Sequence, residues 1–234
     1  MAMNFLALMW ALMLWTGSAR ASLPDYQTFP GDGPRLLLWV NAERGRAEPE
    51  LEAARKLAAQ GTTVWSLDLV GAYFLPQLPS SMDAVPVQDM VDWLDAALTA
   101  GKPATVYAVS RAAVPVLRAA SRLEAPRRHR LCVLLMYPNL YASAEALADA
   151  DYLDVGRLDG LRIRVLQPRR SAATPWLPAQ LDHLSGLGAT VSHAILENLR
   201  EGYWARETPT EFEIAESRRM DALLLRELET WGCK

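Results

Sequence analysis

The chain has 234 residues, 51% of them hydrophobic, and a formal net charge of −3 at pH 7. This length and apolar content suit one α/β domain with a sizeable core. The weakly acidic balance, without a block of basic residues, gives no electrostatic footprint for nucleic acid, so we expect no nucleic-acid partner.

The first 21 residues have the features of a signal peptide. Residues 5–15 form an apolar run that is shorter than the roughly 20 residues of a spanning helix, and Ala19-Arg20-Ala21 matches a small-x-small cleavage site. We therefore predict that residues 1–21 are removed, that residues 22–234 form the mature domain, and that the protein is periplasmic or secreted. The alternative is an uncleaved N-terminal segment that attaches the protein to a membrane.

Short apolar runs alternate with segments of helical periodicity along the mature chain. The runs predict strands at residues 35–40, 62–67, 104–109, 131–137, 161–167 and 189–196. The periodic segments predict helices at residues 50–60, 87–99, 179–187 and 211–231, with a short helix and loop over 141–158. This alternation predicts a mostly parallel sheet with residues 104–109 at its centre and ligands at the carboxyl ends of the strands.

Two cysteines occur, Cys132 in an apolar run and Cys233 beside the end of the chain. We predict a free, buried Cys132 and a Cys233 on a mobile tail. Their pairing in an oxidising compartment is the alternative. No residues have the spacing of metal ligands, and we predict neither a metal nor a cofactor.

Ser110 follows the predicted strand 104–109 inside Ala-Val-Ser-Arg-Ala and precedes a helical segment. A serine on a tight turn between strand and helix is the layout of a nucleophile elbow, although alanines replace both glycines of Gly-x-Ser-x-Gly. Pro115 is compatible with this layout only in the first turn of the helix.

The order and spacing of three features resemble the α/β-hydrolase fold family. The features are the strand 35–40 with the loop after it, the sequence Ser-Leu-Asp68-Leu-Val-Gly71, and Ser110. The resemblance implies a single α/β domain with a mostly parallel sheet, helices on both faces, reduced N-terminal strands and no lid domain. It also implies a catalytic Ser110 and an oxyanion hole formed by the amides of Arg111 and of Ala42 or Glu43.

The catalytic triad that the resemblance implies is incomplete. No histidine follows His193, and Tyr203 occupies the position where the family has its base. A phenol with a pKa near 10 cannot act as a base at neutral pH without help. His193 could serve if its strand ended before it, with an acid from Asp151 or Asp154.

Two functions remain open from the sequence. The first is an exported pseudoenzyme, non-catalytic or weakly active, that binds a small ligand or a protein partner at the former active-site face. Candidate ligand-binding residues are Tyr203, Trp204 and Arg170. The second is an esterase-like or thioesterase-like serine hydrolase that uses Ser110, His193 and Asp154 or Asp151. A missing base reduces the rate of hydrolysis more than altered glycines do, which favours the first function.

Overall fold

A computed structural model describes residues 23–143 and 150–233. The predicted signal peptide lies outside the described residues. Within the part of the chain that is described, no helix combines the length and the apolar character needed to cross a membrane.

The described residues form strands and helices in alternation. The strands are β1 (Gln27–Phe29), β2 (Arg35–Val40), β3 (Thr62–Leu67), β4 (Ala104–Val109), β5 (Leu131–Met136), β6 (Tyr141–Ser143), β7 (Asp151–Tyr152), β8 (Arg162–Pro168) and β9 (Thr190–Leu196). The helices are α1 (Glu48–Ala59), α2 (Leu69–Tyr73), α3 (Val87–Thr99), α4 (Ala113–Arg122), α5 (Ala125–Arg128), α6 (Leu177–Gly186), α7 (Glu211–Ser217) and α8 (Met220–Thr230).

The main sheet has the strand order β1-β3-β2-β4-β5-β8-β9, with β4 at its centre. All neighbouring strands are parallel except β1, which pairs antiparallel with β3 at one edge. The predicted parallel sheet is therefore confirmed, together with its central strand. Every residue of β4 and β5 is buried, because helices cover both faces of the sheet.

The two faces of the sheet carry separate apolar cores. Helices α3, α4 and α6 pack on one face, where Leu94 and Leu117 are buried. Helices α1 and α8 pack on the other face through Leu57 and Leu224. This arrangement leaves the loops at the carboxyl ends of the parallel strands free to form a site.

The C-terminal region differs from the prediction of one long helix over residues 211–231. The chain forms α7 and α8 instead, with a break at Arg218 and Arg219. Glu213 of α7 forms an ion pair with Arg200, while α8 buries Met220, Leu224 and Leu228. The predicted helix within 141–158 is also not found at the ends of that segment, where β6 and β7 pair antiparallel; residues 144–149 are not described.

Cys132 and Cys233 form a disulfide bond with their Cα atoms 5.5 Å apart, so the prediction of a free Cys132 and a mobile tail is wrong. Helix α8 returns the end of the chain to the amino ends of β4, β5 and β8. There Cys233 N donates to Thr105 Oγ1 at 3.3 Å. Arg162 donates to the Trp231 carbonyl at 2.9 Å and lies 5.3 Å from the ring centre of Trp231. These contacts hold the tail in place beside Cys132.

Candidate functional site

A cavity of about 810 Å³ opens at the carboxyl ends of five parallel strands. Each strand is followed by a loop that contributes to the wall: Glu43 after β2, Ser110 after β4, Tyr137 after β5, Ala172 after β8 and Glu201 after β9. The predicted location of the site at this edge of the sheet therefore coincides with a cavity large enough for a small organic molecule.

Ser110 lies on a strained turn between β4 and α4. Its φ angle is 53°, in the left-handed region that residues other than glycine rarely adopt. A 3₁₀ turn, Ser110–Ala112, follows, and α4 begins at Ala113, so Pro115 falls in the first turn of the helix. Ala108 and Ala112, which stand where the usual motif has glycines, are fully buried. The backbone therefore makes this turn without the glycines of the usual motif.

The carboxylate of Glu43 contacts Ser110 directly. Glu43 Oε1 accepts a hydrogen bond from Ser110 Oγ at 3.2 Å, and Oε2 accepts one from the Arg111 backbone N–H at 3.4 Å. That N–H is the donor that the sequence predicts for the oxyanion hole, and Ala42, the other predicted contributor, lines the cavity beside it. A carboxylate of the protein itself therefore occupies the position where an oxyanion would bind.

The guanidinium of Arg111 is directed to other partners. It donates to Asp83 Oδ2 at 3.0 Å, to the Tyr141 carbonyl at 2.6 Å and to Asn139 Oδ1 at 3.5 Å. Asp83 also pairs with Arg118 of α4 at 3.5 Å. These partly buried contacts hold the start of α4 in place, and they direct the guanidinium of Arg111 away from Ser110.

His193 lies within β9 rather than after it. Its register partner is Val165 of β8, which pairs with Leu135 of β5, which pairs in turn with Ala108 of β4. Three strand spacings of about 4.8 Å place His193 roughly 14 Å from the strand that leads to Ser110. The side chain of His193 is exposed at the edge of the sheet. The structure does not bring it to Ser110.

The other two histidines also lie away from the cavity. His129 follows α5 and precedes β5, at the amino end of the sheet, as the sequence predicts. His183 of α6 stacks on Tyr152 with ring centroids 4.2 Å apart, and burial lowers the pKa of His183.

The two aspartates considered as the triad acid lie outside the cavity wall. Asp154 Oδ1 accepts from the Gly156 N–H at 2.9 Å, and its carbonyl accepts from Arg118 Nε at 3.0 Å. Asp151 is exposed in β7, opposite Ser143 of β6. The predicted serine, histidine and acid are therefore not assembled into a triad.

Glu50 is a buried acid in the cavity wall that sequence reasoning treated only as the start of a helix. Its side chain lies in the first turn of α1, the residue is 3% exposed, and Oε2 accepts from the Ala47 N–H at 2.8 Å. The side-chain N–H groups of Asn41 and Trp39 have no partner other than the Glu50 carboxyl, toward which both act as donors. Burial raises the pKa of Glu50 to about 7, although the Ala47 N–H and the nearby polar groups of Asn41 and Trp39 counteract part of this effect.

Tyr137 lines the cavity together with several of its acidic side chains. Burial raises the pKa of its hydroxyl well above the usual range. The negative charges of Glu50, Glu43 and Glu201 raise this pKa further. The ring of Tyr137 packs on Trp204 with centroids 5.9 Å apart. The cavity therefore combines aromatic walls with four glutamates and three arginines.

The described residues contain no group of three or more histidine, cysteine, aspartate or glutamate side chains placed to hold a metal ion. No family model matches the chain, and no curated protein matches it.

Solved structures of low sequence identity match the chain over most of its length. An esterase from Pyrobaculum calidifontis is 14% identical with a TM-score of 0.59, covering 90% of this chain and 85% of its own. A hormone-sensitive lipase from a metagenome library is 17% identical with a TM-score of 0.56, covering 84% and 79%. The esterase Est22 is 12% identical with a TM-score of 0.61, covering 85% and 73%. The chain has an α/β-hydrolase fold.

Within this hydrolase fold, Glu201 lies in the same loop as Tyr203, and Ser171 lies in the neighbouring loop after β8. Glu201 lines the cavity after β9, and Ser171 follows β8. Ser171 Oγ donates to Glu201 Oε2 at 2.8 Å. The resemblance assigns Tyr203 to the place of the base because Gly202 and Trp204 flank it. Sequence reasoning did not find the Ser171–Glu201 hydrogen bond that joins these two loops, because neither residue was a candidate for the triad.

The predicted ligand-binding residues lie in three different settings. Tyr203 is 1% exposed and meets Trp204 edge-on with centroids 5.0 Å apart, so it packs in the core of the hydrolase fold. Trp204 lines the cavity. Arg170 is exposed, and its backbone N–H donates to the Leu199 carbonyl at 2.9 Å.

Proposed function

We propose that this protein is an exported, non-catalytic homologue of the α/β-hydrolases that binds a small ligand in the cavity beside Ser110. The observation that carries the proposal is the Glu43 carboxylate, which contacts both the hydroxyl of Ser110 and the amide of Arg111. Hydrolysis by a serine requires a base on the hydroxyl and free N–H donors for the developing oxyanion. Glu43 takes up both places at once.

The position of Glu43 is also unsuited to a base role of its own. A carboxylate that accepts from Ser110 Oγ could in principle remove its proton. While it does so, its second oxygen accepts from the Arg111 N–H, so a substrate carbonyl oxygen has no donor there. A negative charge at that point also repels an oxyanion. Binding without turnover is the function that this geometry supports best.

Export is supported by two features of the chain. The apolar N-terminal run precedes a small-x-small sequence, and Cys132 and Cys233 pair in a disulfide bond. Structural disulfides persist in oxidising compartments such as the periplasm and the extracellular space.

The alternative function is a serine hydrolase that uses Ser110. The strained φ of 53° at Ser110 favours it, because such strain is often retained where a side chain performs chemistry. This alternative requires Glu43 to leave the Arg111 amide, and either Glu43 or His193 to act as the base on Ser110.

We expect little reaction of Ser110 with a fluorophosphonate probe or a short-chain aryl ester. Loss of the base in a serine triad reduces turnover by about 10⁴–10⁶-fold. Wild type, Ser110→Ala, His193→Ala and Glu43→Gln should therefore all label slowly and at similar rates. Labelling is measured by gel fluorescence and intact mass, and circular dichroism verifies that each variant is folded.

Rapid labelling of wild type that Ser110→Ala abolishes would overturn the proposal. Its dependence on the other two variants would then identify the base. Loss of labelling in His193→Ala would assign the role to His193, and loss in Glu43→Gln would assign it to Glu43.

A further inference from the structure

We propose that the edge strand β9 is the interface for a second copy of this chain. Two copies would pair antiparallel along β9 about a twofold axis at His193, and their two sheets of seven strands would join into one continuous sheet. Pairing at this edge does not require a ligand in the cavity beside Ser110.

Strand β9 lacks the features that usually prevent one sheet edge from pairing with another. It is the last strand in the sheet order, and its seven residues include no proline, lysine, arginine, aspartate or glutamate. Its register with β8 runs from Thr190–Arg162 to Leu196–Pro168 without a shift, so no bulge bends it. Proteins usually protect exposed edges with charges, prolines, bulges or very short strands. The opposite edge, β1, has only three residues, so β9 is the edge that is left open to pairing.

Hydrogen bonds at the two ends of β9 show which of its residues face β8. The Thr190 N–H donates to the Leu161 carbonyl at 2.8 Å, and the Leu196 carbonyl accepts from the Arg169 N–H at 2.9 Å. Residues bonded to one neighbour alternate along a parallel strand with residues that face the other side. The even-numbered residues of β9 therefore bond to β8, and the odd-numbered residues direct their N–H and C=O groups outward. The outward residues are Val191, His193 and Ile195.

These outward backbone groups are available to a further strand. Among the described residues one contact reaches them, a hydrogen bond of 3.4 Å from Arg164 Nη1 to the His193 carbonyl. A carbonyl oxygen has two lone pairs, so it can accept a second hydrogen bond from another strand. Arg164 also pairs with Glu227 at 2.5 Å, so it adds no unbalanced charge at this edge.

The sequence of β9 is complementary to itself in one antiparallel register. When His193 faces His193 of the second copy, Val191 faces Ile195 of that copy, so every outward residue opposes another outward residue. Residues opposed in this way exchange both of their backbone hydrogen bonds. Val191 and Ile195 are half-buried and pack against the same apolar core, so their side chains lie on one side of the sheet and form an apolar pair across the axis. No acidic or basic residue of β9 meets a like charge, and this complementarity favours a second copy as the occupant.

The first test is the oligomeric state of the exported protein, measured by sedimentation velocity over a series of concentrations. We expect wild type to have the mass of a dimer. His193→Lys should raise the dissociation constant of the dimer at least about tenfold, because it places two like charges opposite each other at the axis. Thr28→Lys is the matched control, since Thr28 is an exposed strand residue at the opposite edge, and it should leave the dimer unchanged. Circular dichroism verifies that each variant is folded.

The second test examines the register by cross-linking. Opposed residues of a hydrogen-bonded antiparallel pair have Cα atoms about 5.5 Å apart, within the range that a disulfide spans. Both natural cysteines are already paired, so His193→Cys introduces a free thiol on an exposed residue. With a mild oxidant it should form a covalent dimer on a non-reducing gel. Thr190→Cys is the control, because Thr190 is exposed on the same strand, but the two copies of this position would lie roughly 20 Å apart.

Three results would overturn the proposal. The first is a monomer at every concentration. The second is a dimer that His193→Lys weakens no more than Thr28→Lys does, which would place the interface on another surface. The third is cross-linking of Thr190→Cys as fast as that of His193→Cys, which would contradict an axis at His193.

Discussion

Glu50→Gln is expected to raise the free energy of unfolding above pH 7 by about 3 kcal/mol and to change it little near pH 4. Burial raises the pKa of this carboxyl from 4.5 to about 7 in the folded protein, so folding favours its protonated form. Stability from Glu50 is therefore fully present below its unfolded pKa and is lost as the pH rises through about 7. Glutamine is neutral at every pH and keeps an oxygen to accept from the Ala47 N–H.

The measurement is urea unfolding of wild type and Glu50→Gln across this pH range, with Glu52→Gln as the control. Glu52 lies in the same helix but is exposed, so its substitution should give no comparable pH-dependent difference. A difference between wild type and Glu50→Gln that stays constant with pH would show that Glu50 does not titrate as its burial implies.

Cleavage of the bond between Cys132 and Cys233 is expected to lower the free energy of unfolding by about 2–5 kcal/mol. The two residues are 101 positions apart, and a cross-link over a long loop strongly restricts the unfolded chain. Cleavage also releases the end of α8 from its position beside β4 and β8. The measurement is the urea midpoint with and without a reductant, with thiol counting to verify that the bond is broken.

The double variant Cys132→Ala/Cys233→Ala serves as the control for the reductant itself. It should be destabilised to a similar extent without reductant and should not respond to it. An unchanged midpoint of wild type after complete reduction would contradict the expected contribution of the disulfide.

The sheet could be predicted from the sequence because each strand is marked by its own short run of apolar residues. Strands such as β4 and β5 are apolar at every position, a pattern that a parallel sheet covered on both faces requires. The antiparallel strand β1 agrees with the reduced N-terminal strands that the resemblance implies, but its bounds could not be predicted because it has only three residues, two of them exposed. The break between α7 and α8 was missed because periodicity continues through it, whereas the contact of Glu213 with Arg200 depends on tertiary packing.

The side-chain contacts within the site were harder to predict because they join residues that are far apart in the sequence. Ser110 was predicted as the centre of the site from the strand and helix around it. Its contact with Glu43 joins residues 67 positions apart, and no motif encodes it. The pairing of Cys132 with Cys233 has the same cause, since it depends on where α8 delivers the tail. Glu50 resembles any helix-starting acid until the burial of its side chain is known.

The disulfide also places one part of the cavity wall inside a covalently closed ring of the chain and leaves the other part outside it. Residues 132–233 form a closed ring, which contains Ser171 and Glu201, whereas Glu43 and Ser110 lie in the open part of the chain. A single proteolytic cut in the loops after β8 or β9 would leave both fragments joined in one molecule until the bond is reduced. A cut in the loop after β2 would separate the chain at once on a non-reducing gel. A protease could therefore cut the loops on the β8 and β9 side of the cavity without loss of any part of the protein.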